Sequence, residues 1–170
     1  SLVEFHQEEE GSKFTVGEIY LGTVKKVVPG LNAAFVDVGY DKDAFLHYLD
    51  LGPQFSSLNK FTKLTRGKKI YGKLEKFTLE PDIDKHGKIG QQLTKGQILP
   101  VQIVKEPIST KGPRLSCELS LAGRYLVLVP FSKAVNASKK ITSNKKSKRL
   151  LRLIQSIKPE NFGVIIRTVA

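Results

Sequence analysis

Between Val16 and Asp50 the chain reads VGEIYLGTVKKVVPGLNAAFVDVGYDKDAFLHYLD, an alternation of apolar and polar residues that confines this stretch to short β-strands. Successive strand side chains point to opposite faces of a sheet. From Leu31 to Val38, Ala34, Val36 and Val38 therefore share one face, and Ala33, Phe35 and Asp37 share the other. The aliphatic row is the better core candidate, which turns Phe35 outward. In the next segment Ala44 and Leu46 continue the apolar face and leave Phe45 and His47 together on the opposite side. Two phenyl rings and an imidazole then share one sheet surface.

Large rings on an outer strand face need a physical reason. In small barrels of the oligonucleotide-binding type that reason is stacking on unpaired bases, worth about 1–3 kcal/mol per base. Alternation alone leaves a second reading open, in which another layer covers this face and both rings belong to the core. For His47 the competing reading is a partly buried histidine with its hydrogen bonds satisfied.

Charge favours nucleic acid. The chain carries 28 Lys and Arg against 16 Asp and Glu, a formal net charge of +12 and a pI near 9.8, which attracts polyanions at long range. From Leu119 to Pro159 there are ten basic residues (Arg124, Lys133, Lys139, Lys140, Lys145, Lys146, Lys148, Arg149, Arg152, Lys158) and no acid. A run of this kind is also the ordinary solvated face of a helix. A membrane surface would attract it too, but Leu150, Leu151, Leu153, Ile154 and Ile157 read as the buried stripe of a globular helix.

At 170 residues the chain can bury a core without help from metal or disulfide. Cys117 is the single cysteine and has nothing to pair with, so an oxidising compartment is not indicated. With no apolar run near the ~18 residues of a membrane span and no signal peptide, the expectation is a soluble, cytoplasmic protein without membrane insertion. The absence of methionine, the opening Ser1 and an end just after a β-branched strand are read as marks of a piece of a longer chain.

The coarse pattern predicts a strand at 2–5, an acidic loop through Ser12, strands from Ile19 to His47 with a turn at Pro29 and Gly30, and further strands at 98–105 and 114–119. Residues 50–97 read as a long insertion between barrel strands. Past Gly123 the pattern changes to a strand at 125–129, a helix at about 143–157 with Thr142 or Ser143 as N-cap and Pro159 beyond its end, and a strand at 163–169. The expected fold is mainly β with an α/β part, a five-stranded barrel of the oligonucleotide-binding type followed by a small α/β element. Glu80, Asp82, Asp84 and His86 in EPDIDKHG have metal-like spacing, but the other positions of a calcium loop are missing, and the segment reads as a solvated turn.

Three stretches in this order, IYLGTVKKVVPGLNAAFVDVGYDKDAFLH, SLAGRYLVLVP and NFGVIIRTVA, resemble the amino-terminal part of the bacterial ribonuclease E/G family. The resemblance covers nearly the whole chain. It implies a strand of a ribonuclease-H-like part at 1–15, an RNA-binding barrel at 16–119 with its insertion at 50–97, and a region at 120–170 that senses the 5′ end of RNA. It further implies that Phe35, Phe45 and Lys111 contact single-stranded RNA, and that Gly123, Val127, Arg167 and Thr168 bind a 5′ monophosphate. The residue types suit the task, since guanidinium binds phosphate oxygens in a bidentate, charge-assisted way. On bare sequence Arg167 and Thr168 read first as a strand end, Gly123 as an ordinary break between barrel and next strand, and Val127 as a core residue; the resemblance reverses that weighting for the arginine and threonine. The resemblance places catalysis by Mg²⁺, and a Zn²⁺ between subunits of a homo-oligomeric parent, in parts other than this chain. The alternative function is a noncatalytic RNA-binding protein of translation or ribosome assembly; a metal-dependent enzyme built on EPDIDKHG is a third.

Overall fold

The computed structural model describes residues 14–67, 74–124, 126–137 and 145–167. The expected strand at 2–5 and the loop through Ser12 lie outside these residues, as do Tyr125, Thr142, Ser143 and Thr168.

Five strands close into a barrel: β1 (Ile19–Val28), β2 (Ala33–Asp37), β3 (Ala44–His47), β4 (Ile98–Lys105) and β5 (Arg114–Ser116), in the order β1-β2-β3-β5-β4. The face chosen by alternation is the inner one, with Ala34, Val36, Ala44 and Leu46 fully buried beside Leu99, Val101 and Leu115. Strand β5 stops at Ser116, short of the expected 119. The chain turns there because the Cys117 N–H donates to the Asp50 carbonyl at 2.8 Å instead of continuing the barrel ladder.

The turn after β1 is a single 3-10 turn at Pro29–Leu31, closed by Asn32 in the left-handed region with φ 49°. The Asn32 amide then reaches the insertion, accepting from the Ile89 N–H at 2.7 Å and donating to the Gly87 carbonyl at 3.2 Å. That insertion is better ordered than its loose alternation suggests. It contains helix α1 (Phe55–Arg66) and the short helix α2 (Ile89–Gln92). Phe55, Leu58, Phe61 and Thr62 recur at helical spacing and face the barrel-side core.

EPDIDKHG is the solvated turn expected, with Pro81, Asp82, Asp84, Lys85 and His86 exposed, and it is tethered to the barrel through Tyr48. The Tyr48 hydroxyl donates to the Asp84 carbonyl, and Asp84 Oδ1 accepts from the His86 N–H at 2.9 Å. A Cβ at Gly87 would lie 2.1 Å from the Tyr48 hydroxyl, so only glycine fits. Burial, with the Asp84 charge second, holds the Tyr48 phenol above its ordinary range.

The second unit is a four-stranded sheet of β6 (Leu121–Ala122), β7 (Leu126–Pro130), β8 (Val135–Ala137) and β9 (Phe162–Ile166), ordered β6-β7-β9-β8. Its last strand runs over Phe162–Ile166, and positions 168 and 169 of the expected strand lie outside the described residues. Helix α3 (Lys145–Ile157) makes the crossover between the parallel strands β8 and β9 and buries Ile154 against Val164 and Ile166. The expected five-residue stripe is narrower in the structure. Leu150 and Leu153 are 39% and 55% exposed, because among the described side chains the helix meets this small sheet along Leu151 and Ile154.

The two units are bolted together through the insertion. Phe61 from α1, Phe77 and Phe131 form a mutual edge-to-face cluster with centroids 5.4–6.0 Å apart. Beside it the Asn161 side-chain amide donates to the carbonyls of Leu74 and Phe77 at 2.8 and 2.6 Å, while the Asn161 backbone carbonyl accepts from the Phe131 N–H at 2.7 Å.

Candidate nucleic-acid interface

Phe35 and Phe45 are direct partners across β2 and β3, with ring centroids 5.9 Å apart and planes at 64°. Both are half-buried on the outer barrel face. His47 follows on the same face, its ring 6.4 Å from that of Phe45. Its Nδ1 accepts from the Leu49 N–H at 3.1 Å, so the neutral ring carries its proton on Nε2, on the side away from that bond.

Lys111 comes from the β4–β5 loop, in a tight turn where Ile108 and Lys111 exchange backbone hydrogen bonds of 3.0 and 3.2 Å. It lines an open cleft of about 920 Å³ together with Phe35 and Phe45. Three residues distant in sequence thus converge, while His47 stands just beyond Phe45. Lys26, Lys42, Lys105 and Arg114 also line the cleft, against the acids Asp43 and Glu106.

Sequence reading missed Lys26, Lys105 and Arg114, which complete a row. Lys26 is the ladder partner of Phe35, Phe35 of Phe45, Phe45 of Arg114, and Arg114 of Lys105. One cross-strand line therefore carries a cation, two aromatic rings and two more cations over all five strands. Two register shifts make it possible. In β1 the pairing jumps from Val24 to Lys26, and in β4 from Ile103 to Lys105. Each skipped residue reverses the alternation, so a lysine that strict period two would aim into the barrel is turned outward. Adjacent lysines inside VKKVV were the available signal, because an unbroken strand would bury one of them.

The rim of the cleft is fixed from both sides. Lys42 Nζ donates to the Ser109 carbonyl, the Phe45 N–H donates to the Pro113 carbonyl at 2.9 Å, and Gly112 packs on the Asp43 backbone. Arg114 gives Nε and Nη2 to Asp50 Oδ2 at 3.1 and 3.0 Å.

In the second unit, Arg167 Nη1 donates to the Gly123 carbonyl at 3.0 Å, joining two of the four expected phosphate-binding residues. Gly123 begins the β6–β7 turn, where its N–H donates to the Leu126 carbonyl at 2.8 Å. Val127 pairs with Ile165, which is exposed, on the sheet face opposite the one that packs on α3. Arg167 follows Ile165 by two residues. The arginine keeps guanidinium donors beyond the one spent on Gly123.

Residues 13–118 match the S1 RNA binding domain model, and residues 120–170 match the Ribonuclease E/G family model. Over 169 residues the chain is 38% identical to Ribonuclease G of Escherichia coli (strain K12), covering 99% of this chain and 31% of that protein. The chain carries an S1 RNA binding domain over most of its length and is similar to ribonucleases of the E/G family. It is also similar to Ribonuclease E of a Nostoc species, 37% identical over 156 residues that cover 91% of this chain and 19% of the relative. Ribonuclease G of Haemophilus influenzae is 34% identical over 167 residues, covering 98% and 30%. The chain thus spans less than a third of the length of these relatives. In the family's terms, the barrel with its aromatic pair is the S1 domain, and the contact between Arg167 and Gly123 falls within the ribonuclease E/G segment.

Proposed function

We propose that this chain is the RNA-binding and 5′-end-sensing portion of a single-strand-specific endoribonuclease of cytoplasmic RNA processing and decay. The observation that supports it most is the convergence of Phe35, Phe45 and Lys111 in one cleft of an S1 domain. Two offset rings offer stacking faces to unpaired bases, and a lysine at the rim meets the phosphate between them. Duplex bases, stacked on each other, leave no face for these rings.

The second element is Arg167 beside Gly123. A guanidinium anchored through one donor and open at the others suits a terminal phosphate. Thr168, outside the described residues, would add a hydroxyl donor, and Val127 would form the pocket's apolar wall. Such a pocket favours a 5′ monophosphate over a triphosphate by size.

Cleavage belongs to the parent enzyme. Among the described residues no three His, Cys, Asp or Glu side chains come together as metal ligands, and Cys117 is buried alone. In this reading the Mg²⁺ of catalysis and an intersubunit Zn²⁺ in a homo-oligomer belong to other parts of that enzyme, and no step here runs through them. A noncatalytic RNA-binding protein is the weaker reading, because the relatives matched over nearly the whole chain are ribonucleases.

The test is equilibrium binding of one short single-stranded RNA with a 5′ monophosphate or a 5′ hydroxyl at fixed salt. The wild-type chain should prefer the monophosphate, and Arg167→Ala should bind both alike with its barrel affinity kept. Equal binding by the wild type would remove end sensing from the proposal.

A further inference from the structure

We infer that Lys26 and Lys105, each turned outward by its own β-bulge, are the two phosphate-gripping ends of the cleft and bracket the segment stacked on Phe35 and Phe45. The inference rests on the RNA-binding reading above and deepens it. The row from Lys26 to Lys105 crosses four inter-strand steps of about 4.8 Å, roughly 19 Å along the sheet. A row of that length suits a footprint at the low end of the ~4–16 nucleotides an oligonucleotide-binding barrel takes.

The two lysines are the cations at the ends of the row and are available to a ligand. Arg114 is engaged by Asp50, and Lys42 by the Ser109 carbonyl. Lys26 and Lys105 are exposed, line the cleft and make no ion pair among the described residues. Bulges reduce ladder hydrogen bonding, and two of them that act to move a lysine from the core side into the same cleft have a common consequence. Apolar bases occupy the middle of the row and phosphates its ends, so the strand runs across the barrel strands rather than along them. Lys25, the residue skipped in β1, is equally exposed but outside the cleft, which makes it an internal control.

The test is the salt dependence of binding of a labelled oligouridylate by wild type, Lys26→Gln, Lys105→Gln and Lys25→Gln. One lost phosphate contact on a single strand lowers the slope of log K against log salt by about 0.7. Lys26→Gln and Lys105→Gln should each lose about that much and bind severalfold more weakly, the double variant should lose about twice as much, and Lys25→Gln should match wild type. Wild-type binding with unchanged slopes in both cleft variants, or a Lys25→Gln loss equal to that of Lys26→Gln, overturns this inference alone. Failure of the wild type to bind single-stranded RNA overturns the inference together with the reading beneath it. Circular dichroism of each variant identifies any loss that comes from unfolding.

Discussion

Phe35 and Phe45 stand directly opposite each other on β2 and β3, with centroids 5.9 Å apart and planes tilted by 64°. A pair in this arrangement presents one ring face-on and the other edge-on, so a base on one ring is steered by the other. Phe35→Ala and Phe45→Ala should each weaken single-stranded RNA binding by about 1–3 kcal/mol. The slope against salt should stay at the wild-type value, which fluorescence anisotropy over a salt series would show.

Gly112 holds the two loops of the cleft rim together. A Cβ there would lie 2.2 Å from the Asp43 carbonyl oxygen, a backbone atom that cannot swing away. Gly112→Ala should destabilise the barrel by about 1–3 kcal/mol, the range for forced overpacking, and should weaken RNA binding by displacing Lys111. Thermal denaturation and RNA titration of the same sample would separate the two effects; an unaltered melting temperature would contradict the contact.

The joint between barrel and second sheet depends on Asn161. Its amide serves the carbonyls of both Leu74 and Phe77, and it is itself buried. Asn161→Ala would take that donor from the buried Phe77 carbonyl, at a cost of about 1–3 kcal/mol, while the Leu74 carbonyl keeps the Phe77 N–H at 3.0 Å. Asn161 also takes a positive φ of 64°, which alanine tolerates poorly. Asn161→Gly, which relieves the backbone and still removes the amide, should recover part of the loss in urea denaturation.

Cys117 is fully buried, and burial, reinforced by the Asp50 charge, pushes its thiol up. Because the folded thiol titrates later than the unfolded one, its contribution to stability is complete below the ordinary thiol value of about 8.5 and declines as pH rises above it. The native protein should resist alkylation at pH 8 and react on unfolding. Between pH 8.5 and 10, Cys117→Ala should lose less stability than wild type; parallel pH profiles would count against the burial effect.

Much of the barrel was legible in the chain. Alternation sorted the residues of β2 and β3 into two faces and favoured the aliphatic one as core, because period two is a local property and each residue carries its own parity. The Pro29 turn, the helix ahead of Pro159 and the strand through Val164 were legible for the same reason. The helix α1 was not, since Phe55, Leu58 and Phe61 are spaced among polar residues and flanked by glycine and proline that suggest loop.

What the sequence by itself determined is therefore the parity of its strands, which puts Phe35, Phe45 and His47 on one face, and the motifs that resemble the ribonuclease E/G family. Only the tertiary structure decided that Lys26, Phe35, Phe45, Arg114 and Lys105 lie in a single row, that Lys111 lines the same cleft, and that Arg167 meets Gly123. Register between strands and the placement of bulges depend on partners far along the chain, and one skipped residue reverses every side chain beyond it.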